Sequence, residues 1–255
     1  MKNSDNFSRR NFFKSAGLGA AALAGMPLLA HSCSPSGESS KIHDFFSDDD
    51  VVLFQGDSIT DAGREKEKEL PNNSWSFGGG YANLIAAWML EEMAAKKLTI
   101  YNRGISGNKV YQLADRWDKD GLNLKPNVLS ILIGVNDYWH FRDGNYDGTP
   151  KIYENDFRKL LTHTMEALPD LKLIICQPFI LTETKAVDET WVKPFSEYQL
   201  IAKRIADEFG ANWVPFQGAF DKATEVAPAS YWTGDGVHPS LAGAQLMAKT
   251  WLKSL

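Results

Sequence analysis

The sequence predicts an α/β protein, a three-layer α/β/α sandwich around a central, mostly parallel five-stranded sheet, and three observations point that way. Short apolar runs rich in Val, Ile and Leu recur along the chain, with the composition of strands buried on both faces. The longer segments between them carry apolar residues at helical spacing. The two kinds alternate without an internal repeat, the pattern of parallel strands joined by helical crossovers.

Residues 1–32 read as an export signal outside the fold. Ser8-Arg9-Arg10-Asn11-Phe12-Phe13-Lys14 makes a basic start, and the run from Ala16 to Ala30 is too short and too rich in Ala and Gly to span a membrane comfortably. The paired arginines before Phe12 resemble the twin-arginine signal of bacteria, which implies export of an already folded chain. An ordinary secretory signal that happens to hold two arginines is the alternative.

Cys33 stands where a bacterial lipoprotein carries its lipid-modified residue, although His31 departs from the usual small-residue pattern before it. Cleavage at a nearby small residue is the other reading. A lipid anchor at Cys33 implies an exported protein, periplasmic or held at a membrane or cell surface. Residues 33–47, which include Ser34-Pro35-Ser36-Gly37, read as a flexible linker, and residues 48–255 as a single domain.

Within that domain the expected strands are residues 51–55, 98–102, 128–133, 171–177 and 212–215. Helices are expected around Tyr81, Leu84, Ile85, Trp88 and Met89; around Leu160, Leu161, Met165 and Leu168; around Leu200, Ile201 and Ile205; and around Leu241, Ala244, Leu246 and Ala248. Residues 138–150 and 178–194 read as aromatic-bearing loops. Right-handed crossovers would bring the carboxyl ends of all the strands to one edge, where open α/β sheets place their sites.

Composition narrows the partners. The chain has 255 residues, 44% hydrophobic and 23% charged, with a formal net charge of -5. No basic block follows the first few residues, so there is no electrostatic footprint for nucleic acid. Of the two cysteines, Cys176 lies within an apolar run and reads as a small buried hydrophobe, so a disulfide with Cys33 is not expected. No Cys/His cluster suggests zinc, and no pair of acidic residues suggests a glycosidase. The oligomeric state is open.

Chemistry gathers at that edge. Gln55-Gly56-Asp57-Ser58 leaves the first strand in a tight turn that offers Ser58 as a nucleophile. A serine hydroxyl needs a base, and Asp235-Gly236-Val237-His238-Pro239 supplies His238, with Asp235 to accept its other ring N–H. The segments Asn102-Arg103-Gly104-Ile105-Ser106-Gly107-Asn108 and Gly134-Val135-Asn136-Asp137 leave the second and third strands at the same edge. Taken alone, Asn136 and Asp137 also suit a helix cap.

These blocks resemble those of the SGNH or GDSL-type serine esterases, in the family's order and across essentially the whole of the chain from Val51 onward. The resemblance implies a flavodoxin-like hydrolase fold and cleavage of carboxylic esters through an acyl-enzyme, with no metal or organic cofactor. It implies catalysis by Ser58, Asp235 and His238, and an oxyanion hole formed by the backbone N–H groups of Ser58 and Gly104 and the side-chain amide of Asn136. Asp57, Tyr138, Trp139 and Trp232 are candidate substrate contacts, Asp57 also being suited to organising the turn. His140 is more simply a surface histidine, and His43 and His163 read as structural or solvated.

Aromatics beside polar groups suit sugar faces better than a long acyl chain. Within the family this pattern is similar to the exported carbohydrate deacetylases. The expected substrate is a small ester or an acetylated polysaccharide or glycan. A lysophospholipase- or thioesterase-type lipid esterase, and a non-catalytic glycan-binding lipoprotein on the same fold, remain the alternatives.

Overall fold

The computed structural model describes residues 37–255, and the expected export signal and Cys33 lie outside them. The five strands are β1 (Val51–Gly56), β2 (Thr99–Asn102), β3 (Val128–Leu132), β4 (Lys172–Cys176) and β5 (Asn212–Val214). They form one sheet in the order β2-β1-β3-β4-β5, and every pairing is parallel. The helices are α1 (Gly37–Phe45), α2 (Ser58–Asp61), α3 (Tyr81–Glu92), α4 (Val110–Asp115), α5 (Trp117–Asp120), α6 (Val135–Arg142), α7 (Pro150–Ala167), α8 (Val192–Glu208), α9 (Phe216–Thr224), α10 (Ala229–Trp232) and α11 (Leu241–Lys253). Among the described residues no helix is long and apolar enough to cross a membrane.

Side chains alternate across a strand, so registered neighbours in a parallel sheet share a face. Phe54 of β1 lies opposite Ser130 of β3. On that face Phe54 packs against Tyr81 of α3 and Trp251 of α11, and the Trp251 indole donates to Ser130 Oγ at 2.9 Å. A second group of helices, α4, α7 and α8, packs together around Tyr153, Phe157 and Tyr198. The Tyr153 hydroxyl ties this group to the end of β3 through Ile133 O at 3.2 Å. Both faces are therefore covered, which is why the strands read as apolar runs rather than alternating ones.

The strand order reverses beside β1: the chain passes from β1 to β2 on one side and then to β3 on the other. Such a switch point opens a crevice at the strand carboxyl ends. Ser58 follows β1 there, and Gly134 and Asn136 follow β3.

Three expectations about elements need correction, the briefest being that residues 178–194 are not wholly loop, because α8 begins at Val192. Residues 33–47 are not simply a flexible linker, because α1 occupies Gly37–Phe45, and Ile42 and Phe46 are buried in the core. The Lys172 and Lys96 ammonium groups donate to the carbonyls of Phe45 and Phe46, which fastens the end of α1 to the domain. Residues 138–150 are not wholly loop either, since α6 runs through Arg142. Its polar residues sit on several sides because one edge of the helix borders the site, which blurs its hydrophobic period.

Candidate active site

Ser58 is the first residue of α2. Asp57 caps that helix, its Oδ1 accepting the Ile59 N–H at 3.0 Å. First-turn N–H groups have no partner inside their own helix, so the Ser58 N–H is left pointing out of the turn. The hydroxyl of Ser58 lies 2.8 Å from His238 Nε2, although 180 residues separate the two in sequence. His238 Nδ1 lies 2.6 Å from Asp235 Oδ2. With Nδ1 donating to the carboxylate, Nε2 is left to accept the serine proton.

Asp235 is itself held in place. Its Oδ1 accepts the N–H groups of Val237 at 3.0 Å and His238 at 2.8 Å. Burial raises its pKa, but the His238 ring and these N–H groups outweigh burial, so the carboxyl stays below its usual range. The segment docks on the loop after β4, where Leu181 N–H donates to Gly236 O at 2.8 Å and Ala186 N–H to Asp235 O at 3.1 Å. Gly236 has φ +98°, and a Cβ there would meet Thr184 Oγ1 at 2.4 Å and Leu181 O at 2.5 Å. Ser240 then caps α11 by accepting the Gly243 N–H at 3.2 Å, which anchors the far side of the segment.

The loop after β2 settles which N–H groups are free. Arg103 N–H donates to Phe54 O, Gly104 N–H to Asn102 Oδ1, Ile105 N–H to Gly56 O and Ser106 N–H to Asp61 Oδ2. Asn108 N–H donates to Ile105 O, Lys109 N–H to Gln112 Oε1 and Val110 N–H to Asp137 Oδ1. The Gly107 N–H alone in this run has no acceptor among the described residues. Its φ of +81° turns the chain there, and a Cβ at Gly107 would meet nothing.

Gly104 must therefore be corrected as a donor. Its N–H is spent, and it is buried so tightly that a Cβ would lie 2.4 Å from Asp61 N. Asn136 is 7% exposed and its Nδ2 donates to Asn108 O at 3.3 Å. One amide N–H thus holds Asn136 beside the Gly107–Asn108 turn, and the other has no acceptor among the described residues. The second glycine of Asn102–Asn108 is the sequence signal for this donor, since a turn with positive φ favours glycine.

Other expected contacts fall elsewhere. Asp57 is 0% exposed and organises the turn rather than reaching substrate. Tyr138 is also buried, enclosed by Trp191, Phe195 and Tyr198. The Trp139 ring packs edge-on against Trp191 at 5.2 Å. Trp232 donates from its indole to Ala223 O and Ala227 O and lines a groove between α9 and α11 instead of the serine. His140 is half-buried one helical turn beyond Asn136, and burial and then Lys109 hold its pKa below the usual value.

Two carboxyls lie beneath the site. Burial pushes Asp57 up to about 7 against the lowering effects of the Ile59 N–H and His238. Burial likewise pushes Asp137 up to about 7, with the Val110 N–H lowering it and Asp57 raising it. Among the described residues no group of three His, Cys, Asp or Glu side chains could hold a metal ion. Cys176 is buried beside Ser130 Oγ at 3.6 Å, and burial pushes its thiol up to about 12.

A parallel α/β sheet with a hydrogen-bonded Ser-His-Asp arrangement at its switch point defines the class, a serine-type ester hydrolase on an α/β/α fold. The chain belongs to the GDSL-like lipase/acylhydrolase family, whose model matches residues 54–246, and it is a carboxylic ester hydrolase. It is 30% identical over 209 residues to an acetylxylan esterase of Geobacillus stearothermophilus, covering 80% of this chain and 93% of that protein. The crystal structure of that bacterium's acetylxylan esterase superposes with a TM-score of 0.74 at 29% identity, covering 82% of this chain and 94% of the other. A GDSL-like lipase family protein of Parabacteroides merdae superposes with a TM-score of 0.80 at 50% identity, covering 82% and 96%.

Proposed function

We propose that this enzyme removes acetyl groups from an acetylated polysaccharide such as xylan, through an acyl-enzyme on Ser58. The observation that carries the reading is the relay from Ser58 through His238 to Asp235, set beside the unengaged N–H of Gly107 and the amide of Asn136. Its similarity to an acetylxylan esterase supports the choice of substrate.

His238 Nε2 takes the Ser58 proton as Oγ attacks the acetyl carbon, and Asp235 steadies the imidazolium. The carbonyl oxygen becomes an oxyanion held by the Ser58 and Gly107 N–H groups and the Asn136 amide. Collapse breaks the bond to the sugar oxygen, which receives the proton from His238. Water then repeats the sequence on the acetyl-serine, releasing acetate and restoring the hydroxyl. Export is part of the proposal, supported by Ser8-Arg9-Arg10-Asn11-Phe12-Phe13-Lys14 and its apolar sequel, with Cys33 as the residue to carry a lipid anchor.

The test is acetate release from acetylated xylan, acetylated pectin and acetylated simple sugars, alongside short- and long-chain aryl esters. Wild type is expected to favour acetyl esters, and Ser58→Ala to lower turnover by about 10⁵- to 10⁶-fold while remaining folded. Activity confined to long-chain esters would overturn the substrate, and undiminished turnover by Ser58→Ala would overturn the nucleophile.

A further inference from the structure

Lys109 comes two residues after Gly107 and is only 8% exposed. Its Nζ lies 3.4 Å from Gly107 O and 3.2 Å from Gln112 Oε1, so the ammonium rests against the residue that offers the free N–H. Two tyrosines flank it, with Nζ 5.9 Å from the Tyr111 ring centre and 5.5 Å from that of Tyr146. The two rings pack 5.4 Å apart at 31°, and Tyr111 keeps 37% of its surface in solvent. Tyr146 is carried by the loop after α6 and Tyr111 by α4, so the cluster bridges the two segments that border Asn136.

The ammonium of a side chain so little exposed is normally matched by a carboxylate. Among the described residues none lies within 4.0 Å of Lys109 Nζ. Its two acceptors are neutral and long, which leaves hydrogen-bonding capacity unspent on a group with three donors. Asp137 acts on Lys109 only through space, and burial lowers the ammonium pKa by more than Asp137 raises it. Tyrosine faces stabilise a cation without neutralising it. What remains is an aromatic-walled ammonium set against Gly107.

We infer that Lys109, with Tyr111 and Tyr146, forms a subsite for a sugar bearing a carboxylate, a uronic acid unit close to the acetylated one. The carboxylate accepts from Lys109 Nζ, and the open side of Tyr111 gives the sugar ring an apolar surface. This inference rests on the reading of the site as a glycan esterase, and it narrows the substrate to the acidic members of that class.

The test is calorimetric binding to the Ser58→Ala protein, which removes turnover, using a xylo-oligosaccharide with one glucuronic acid branch and its unbranched counterpart. The branched ligand is expected to bind about tenfold more tightly, an advantage that shrinks in 1 M salt, where the Debye length falls to about 3 Å. Adding Lys109→Met should abolish the advantage and adding Lys109→Arg should keep most of it. Equal affinities for the two ligands, failure of the branched one to bind, or an advantage that survives Lys109→Met would each overturn the subsite. The comparison of the two ligands on the Ser58→Ala protein stands even if adding Lys109→Met prevents folding. Acetate release from acetylated xylan with and without glucuronic acid branches judges the parent reading separately: its absence from both removes the glycan esterase, whereas equal affinities with acetate release intact remove only the acidic subsite.

Discussion

At Asn136 one amide N–H is tied to Asn108 O, so under the proposed mechanism the side chain is in place for the oxyanion before the reaction begins. Asn136→Ala should lower kcat on a short-chain aryl acetate by about 100- to 1,000-fold with KM little changed. A loss smaller than tenfold would remove it from the oxyanion hole. Gly104 differs in kind, because its N–H already serves Asn102 and its missing side chain makes room for the backbone of Asp61. A methyl group there is felt by the fold before it is felt by the reaction. Gly104 loses its N–H to Asn102 within the same short motif, while the N–H groups of Arg103, Ile105, Ser106 and Val110 around Gly107 find acceptors on Phe54, Gly56, Asp61 and Asp137, far away in sequence. The Asn102 amide is held in that pose by Thr60 O and Phe77 O, contacts that the motif alone does not encode, so its sequence does not single out Gly107.

Elements differed in legibility for a related reason. The strands were plain because burial on both faces makes them continuous apolar runs, and their expected limits match the observed ones to within about a residue. Ser58, His238 and Asp235 were readable because their chemistry is specific. Helix α6 was not, since Asn136 and Asp137 at its start serve the site and the oxyanion loop rather than a core-facing stripe. Helix α1 was masked by the Ser-, Pro- and Gly-rich sequence around it, although Ile42 and Phe46 have the spacing of one helical face. The loop after β4, expected only as an aromatic-bearing segment, makes its clearest contribution by bracing the segment that carries Asp235 and His238. Gly236→Ala should show this: strain at positive φ together with the clash against Thr184 and Leu181 is expected to cost about 2–4 kcal/mol. Calorimetric unfolding should reveal the lower melting temperature, and kcat should fall more than KM rises. Wild-type stability and turnover would show that the segment needs no such brace.

For the molecule as a whole, the buried carboxyls make stability depend on pH. Asp137 rises from an ordinary 3.8 to about 7 in the folded chain, so between those values the folded state binds more protons than the unfolded one. Its contribution is complete below the unfolded pKa and disappears as pH rises through about 7, so stability falls across that window. Asp57 acts in the same direction. Asp137→Asn, which keeps an acceptor for the Val110 N–H, should flatten this part of the profile when melting temperatures are compared between pH 4 and 8. If both proteins show the same slope, the carboxyl is ionised in the fold despite its burial.

The 180 residues between Ser58 and His238 also make activity a measure of completeness. A ribosome-bound chain that has built the whole sheet still lacks its base, and a chain shortened before residue 238 holds a serine with nothing to activate it. During refolding, catalysis should return with the slowest phase, when α11 closes over β3 and Trp251 reaches Ser130. Ester cleavage is therefore expected to begin only once the segment carrying His238 has docked beside Ser58.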